Sequence, residues 1–183
     1  NITVSGDGSH TVYVWLRDQA GNVDFTRHAT ATLRYNGTAP AAPLGLTPSP
    51  AVWTNVNNFG VSWTNPVGLT TIAGAYYKLD TPPTGPTDGV FVAGANIQSL
   101  SNISVGGDGE HPLFVWLRDE AGNASEANRA QTSLRYDSMP PTSPNVFTST
   151  THVVGVWSTL DVVSVRWAGA LDLRSGVYGY ALV

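Results

Sequence analysis

The stretch Asp108-Gly109-Glu110-His111-Pro112-Leu113-Phe114-Val115-Trp116-Leu117-Arg118-Asp119-Glu120-Ala121-Gly122-Asn123 decides the fold. It follows Gly106-Gly107, so it opens on a turn in which glycine supplies positive φ. From His111 to Arg118 the side chains alternate. His111, Leu113, Val115 and Leu117 fall on one face, and Phe114, Trp116 and Arg118 on the other. Ala121-Gly122-Asn123 turns the chain back into Ala130–Tyr136, a second strand whose Leu134 and Tyr136 face inward and whose Arg135 faces outward.

The same stretch occurs twice. Residues 1–43 align with 102–144 at an offset of 101 without a gap, and 21 of those 43 positions are identical. Gly6-Asp7-Gly8-Ser9-His10 answers Gly107-Asp108-Gly109-Glu110-His111, and Trp15-Leu16-Arg17-Asp18 answers Trp116-Leu117-Arg118-Asp119. Trp53 and Trp63 match Trp157 and Trp167 at an offset of 104, and Ile72-Ala73-Gly74 matches Val177-Tyr178-Gly179 at 105. A fixed period of this size marks a repeat architecture of about 101–105 residues per unit. Residues 1–37 are then the C-terminal half of one unit, 38–137 a complete unit, and 138–183 the N-terminal half of a following unit.

Composition narrows the class. The chain has 183 residues, 19 Gly and 12 Pro, abundant Thr, Ser, Val and aromatics, and few strong helix formers, which is all-β composition. Charged residues make up 12% and the net charge is −4, with no basic run, so phosphate-neutralising nucleic-acid binding and an electrostatic membrane anchor are not expected. Cysteine is absent, which removes disulfides, thiolate chemistry and Cys-held metals. No stretch of about 18 apolar residues suggests membrane insertion, and Asn1-Ile2-Thr3-Val4 does not read as a signal peptide.

Within the complete unit, seven short strands are expected. They are Leu44–Thr47, Phe59–Thr64, Gly74–Leu79, Val90–Ala93, Asn96–Val105, His111–Arg118 and Ala130–Tyr136. Between the third and fourth, Thr81–Gly89 carries three prolines and is a loop. In the last half-unit, Val162–Trp167 answers Phe59–Thr64. Turn signals every 8–12 residues predict tandem immunoglobulin-like or fibronectin-III-like antiparallel β-sandwiches, without the Cys…Trp…Cys pattern of antibody domains.

The run Asp108–Asn123, like Asp7–Asn22, resembles the DGxYxLxVxAxDxAGN segment of bacterial Ig-like tandem repeats. The Trp63 strand and the Pro-containing joints are similar too. The resemblance implies secreted or cell-surface proteins in which such repeats act as stalks, adhesin segments or accessory modules. His10 and His111 stand where that family carries a tyrosine, so an imidazole N–H would have to take over from its hydroxyl.

No residue constellation announces catalysis. The four histidines have no metal-ligand spacing and complete no triad, and His111 reads as a partly buried structural side chain. Asp7 and Asp108 read as Asx-type turn formers bonding to N–H groups two residues on, and Asp18 and Asp119 as caps of the Ala-Gly-Asn turn. A calcium ion ranks behind these readings, because the acids are isolated and calcium takes six to eight oxygens. No other cofactor is expected. Tyr13, Trp15 and Arg17, with Tyr76, Phe114, Trp116, Arg118 and Arg135, should face solvent as an aromatic–cationic contact surface. That surface could stack on itself, meet a protein chain or lie on a sugar ring. Sequons place candidate glycans at Asn1, Asn36, Asn102 and Asn123, of which Asn36 and Asn123 should sit on exposed turns.

The functional expectation is a non-catalytic structural module of an extracellular or cell-surface tandem-repeat protein: a stalk, adhesin segment or filament-building subunit. Its partners would be neighbouring repeats of the same, longer protein or identical chains; in the second case, which ranks behind the first because a composite domain would lack the residues equivalent to about 79–101, the half-units would complete one another head to tail. The alternative is a carbohydrate-binding accessory module of a secreted enzyme.

Overall fold

The computed structural model describes residues 1–181, so Leu182 and Val183, the last residues of the third segment, lie outside it. Its strands are β1 (Gly8–Val14), β2 (Ala29–Tyr35), β3 (Leu44–Ser49), β4 (Phe59–Thr64), β5 (Ile72–Leu79), β6 (Val90–Ala93), β7 (Ser99–Ile103), β8 (Gly109–Asp119), β9 (Ala130–Tyr136), β10 (Val146–Ser149) and β11 (Val165–Ala168). The chain is all-β. One 3-10 turn at Glu126–Asn128 interrupts it, and no helix among the described residues is long and apolar enough to cross a membrane.

Two sheets carry the middle of the chain. One runs β3-β4-β7 and the other β6-β5-β8-β9, with every pairing antiparallel. Period-two patterning fixes the register. β8 lies in the centre of its sheet, Tyr76 opposite Trp116 on one side and His111 opposite Leu134 on the other. Phe59, Val61 and Trp63 of β4 and Leu100 and Ile103 of β7 pack against Ile72 and Ala75 of β5, Leu113, Val115 and Leu117 of β8, and Leu134 of β9. Trp63 and Leu134 are therefore core residues of a two-layer packing (5% and 0% exposed). Trp167, read by its spacing as the counterpart of Trp63, is only half-buried and meets Tyr180 edge-on at 5.0 Å.

The turns repeat in atomic detail. Gly8 and Gly109 have φ of 134° and 146°, and Gly21 and Gly122 both have 94°, values open to glycine and costly for other residues. β1 and β2 form a two-stranded sheet with the register of β8 and β9, Gly8 opposite Tyr35 as Gly109 is opposite Tyr136. β10 and β11 form another two-stranded sheet.

Identical side chains have opposite environments in the two hairpins. Trp116, Leu117 and Val115 are sealed, whereas Trp15 is 47% exposed and Leu16 83%. The difference lies in the neighbours, β5 and the β3-β4-β7 layer, and not in the local sequence.

Candidate functional site

The expected aromatic–cationic surface divides in two. Trp116, Phe114 and Tyr76 do not face solvent; all three are buried. Alternation does place them on the outer face of β8 and β5, but the Thr81–Gly89 loop folds across that face and Phe91 of the edge strand β6 packs on Tyr76. Trp116 Nε1 donates to Pro86 O at 2.8 Å. A Cβ at Gly89 would meet the Trp116 ring and the Tyr77 carbonyl at 2.6 Å, so glycine alone lets the loop lie this close. Tyr76 stacks on Trp116 at 5.4 Å and meets Phe91 at 4.7 Å. Arg118 lies over the Phe91 ring at 5.3 Å, and Arg129 over Phe114 at 5.8 Å. Arg135 pairs with Glu110 at 3.2 Å across the β8–β9 hairpin. Of the expected set, Tyr13, Trp15 and Arg17 remain exposed.

Lys78 and Asp88 pin the loop. Lys78 Nζ lies 2.8 Å from Asp88 Oδ2, which also accepts from Thr84 N and Thr84 Oγ1 at 2.8 Å. The Lys78 ammonium, followed by the Thr84 donors, holds the Asp88 carboxyl down at about 2.

The histidines close the turns before β1 and β8. His10 Nε2 donates to Gly6 O at 2.9 Å, and His111 Nε2 to Gly107 O at 2.7 Å, the same bond one repeat apart. His111 Nδ1 also lies 2.7 Å from Asp80 Oδ1, and its side chain is 14% exposed. The imidazole thus ties the turn to the end of β5.

Asp7 and Asp108 do not form Asx turns with their own neighbours. Asp108 Oδ1 accepts from Ser138 N and Oγ at 2.9 Å, and Asp7 Oδ1 accepts from Gly37 N at 2.7 Å while Oδ2 accepts from Thr38 Oγ1. The cause is the hairpin register. Gly109 stands opposite Tyr136, so the preceding carboxylate reaches the chain just past the end of β9. These donors lower the Asp7 carboxyl, through Thr38 and then Gly37, and the Asp108 carboxyl, chiefly through Ser138 N.

Asp18 and Asp119 do cap their turns. Asp119 Oδ1 accepts from Asn123 N at 2.8 Å and Asp18 Oδ1 from Asn22 N at 2.8 Å. In each case the Asn side chain donates to the other carboxylate oxygen. The Asn22 side chain and then its backbone N–H lower the Asp18 carboxyl.

Asp119 has a second role that its counterpart lacks. Asn36, just past β2, donates from Nδ2 to Asp119 Oδ2 at 2.8 Å and to Thr70 Oγ1 at 2.9 Å. Thr70 Oγ1 donates to Asp119 Oδ2 at 3.1 Å, Asn123 Nδ2 to Asn36 O at 2.9 Å, and Asn128 Nδ2 to Pro40 O at 2.7 Å. Asp119 is 2% exposed. These bonds join the first hairpin to the middle of the chain, beside a cleft of about 390 Å³ lined by Asp7, Asn36, Pro40, Val67, Leu69 and Thr70. A polar contact also joins the corresponding positions further along, with the roles reversed: Asp137, at an offset of 101 from Asn36, accepts from the backbone N–H of Ser175 at 3.1 Å, and Ser175 lies at an offset of 105 from Thr70.

Asn36 and Asn123 are therefore half-buried, with both carboxamides donating hydrogen bonds, and are not the exposed sequons expected. Asn1 and Asn102 are exposed. Among the described residues no group of three or more His, Cys, Asp or Glu is placed to hold a metal ion. The joint itself was not anticipated. Its one sequence signal was a short polar side chain after Tyr35 and Tyr136 followed by a small residue. No family model matches the chain, and no curated protein matches it.

Proposed function

We propose that this chain is a non-catalytic structural segment of a tandem Ig-like β-sandwich protein, working outside the cell or on its surface as a stalk, adhesin segment or filament-building part. The observation that carries the reading is the polar tie at each connection. Asn36 donates to Thr70 and Asp119, and Asp137, at the aligned position 101 residues on, accepts from the backbone N–H of Ser175, so both connections are tied by polar contacts made with different atoms. A unit that buries its own core and clasps the end of its neighbour suits transmission of tension along a row of units. Pro40 and Pro43, or Pro141 and Pro144, stiffen each connection. Neighbouring repeats or identical chains are the partners this reading implies.

Single-molecule stretching of the 183-residue chain tests it. Residues 38–137 should resist as one unit and release roughly 350 Å of chain, at about 3.5 Å per residue. Extension without a discrete event would refute a mechanical role.

A carbohydrate-binding accessory role is the second reading, favoured by the exposed Tyr13 and Trp15. Quenching of Trp15 fluorescence by a soluble polysaccharide, lost on Trp15→Ala, would support it. Light scattering of the same sample reports whether copies associate head to tail.

A further inference from the structure

The geometry points to Asn36 as a self-modifying site, whose deamidation would replace the donor that locks the joint with an anion facing Asp119. The inference rests on the joint's atoms and not on an extracellular location, so it can fail while the structural reading stands.

Asn36-Gly37 is the one Asn-Gly pair in the sequence. Glycine leaves its amide nitrogen unshielded by a side chain, and the Tyr35 hydroxyl would lie 2.6 Å from a Cβ placed at Gly37. Three groups surround the reacting atoms. Gly37 N–H donates to Asp7 Oδ1 at 2.7 Å, so a carboxylate is placed to accept the proton that must leave. Thr38 N donates to Asn36 Oδ1 at 3.2 Å, where negative charge develops as the nitrogen attacks. Asn36 Nδ2, the leaving nitrogen, is retained by Asp119 and Thr70.

The step balances without an outside reagent other than water. The Gly37 nitrogen bonds to Asn36 Cγ and its proton passes to Asp7. The Cγ–Nδ2 bond breaks, and the nitrogen takes that proton and departs as ammonia. Water then opens the cyclic imide to aspartate or isoaspartate. No atom changes oxidation state.

The consequence is electrostatic. The 2.8 Å contact from Asn36 Nδ2 to Asp119 Oδ2 works because one side donates. Two carboxylates at that separation repel. At the corresponding position of the next joint an anion is met by two backbone N–H groups, Met139 N on one carboxylate oxygen and Ser175 N on the other. Thr38 N–H already supplies the first of these at Asn36 Oδ1, but the other side of the carboxamide faces the Asp119 carboxylate instead of a backbone donor. While Thr70 and Asp119 hold the carboxamide, cyclisation is restrained; a joint strained open frees it, and the conversion then prevents reclosure.

Two measurements on the intact chain test this. First, the protein is held at mildly alkaline pH, native and in urea, and peptide mass mapping follows every asparagine. Conversion is expected at Asn36 ahead of all others, faster in urea than in the native state. Conversion at Asn36 no faster than at Asn102 or Asn123 would overturn the proposal. Second, amide exchange compares the chain with its Asn36→Asp variant. Loss of protection at Gly37 and Asn123 with β8 unchanged is expected, and partial recovery when Asn36→Asp is combined with Asp119→Asn. Unchanged protection in the single variant would overturn it.

Discussion

Replacing Asp119 by Ala isolates the joint and the turn together. The carboxylate is buried and accepts four bonds: Asn36 Nδ2 at 2.8 Å, Thr70 Oγ1 at 3.1 Å, Asn123 N at 2.8 Å and Asn123 Nδ2 at 3.1 Å. A hydrogen bond to a charged group contributes about 1.5–3 kcal/mol. The four are not additive, because Asn36, Asn123 and Thr70 are half-buried and water can reach the freed donors. The expected loss is about 3–5 kcal/mol, the scale for breaking one side of a buried polar cluster. With a urea slope of about 2 kcal/mol per molar, the midpoint should fall by roughly 1.5–2.5 M. Urea unfolding followed by tryptophan emission reads it, since Trp63 and Trp116 are buried and become exposed as the two-layer packing melts. Asp18→Ala is the internal control. Asp18 has the same turn bonds but no Asn36-like partner, and it lies outside the core, so its midpoint should match the parent chain. Equal shifts from Asp18→Ala and Asp119→Ala would refute the argument, because the turn alone would then carry the energy.

Three further expectations follow from single contacts. Asp88 is depressed in the folded chain to about 2 from 3.8, so the stability it contributes is present above 3.8 and is lost as pH falls through about 2. Acid unfolding of Asp88→Asn should therefore lack part of the slope between those values, and an unchanged slope would contradict the Lys78–Asp88–Thr84 clasp. Trp116→Phe removes the bond to Pro86 O and part of a fully buried ring, costing about 1–3 kcal/mol, with faster amide exchange in Thr84–Gly89. His111→Ala removes the tie from Gly107 O to Asp80; a loss of about 1–2 kcal/mol in urea unfolding is expected, with the β8–β9 register intact by cross-strand NMR contacts.

The strands were legible because their signals are local. Phe59–Thr64, Val90–Ala93 and Ala130–Tyr136 match the expected bounds, since alternation and turn residues suffice to define them. The inward set of β8 was legible for the same reason. The burial of Trp116 was not. Alternation assigns it correctly to the outer face, but only the path of the Thr81–Gly89 loop, some 30 residues earlier, decides that this face is covered. The joint was hidden for a related reason. Asn36 and Asp119 are 83 residues apart, and neither belongs to a recognisable motif with the other. The partners of Asp7 and Asp108 were misjudged because a hairpin register brings residues 30 positions away closer than the next turn residue. Periodicity reports which face a side chain takes; it carries no information on what arrives to cover that face.

Amide hydrogen exchange on paired segments is the most direct test of the central claim, that two hairpins of matching sequence and register differ in burial and stability because only one has neighbouring strands to pack against. Peptides spanning Val115–Leu117 and Leu134–Tyr136 should be protected by orders of magnitude more than those spanning Val14–Leu16 and Leu33–Tyr35 in the same molecule, because β8 and β9 lie in a four-stranded sheet over a shared core while β1 and β2 pair only with each other. Equal protection of the two sets in the isolated chain would contradict the account.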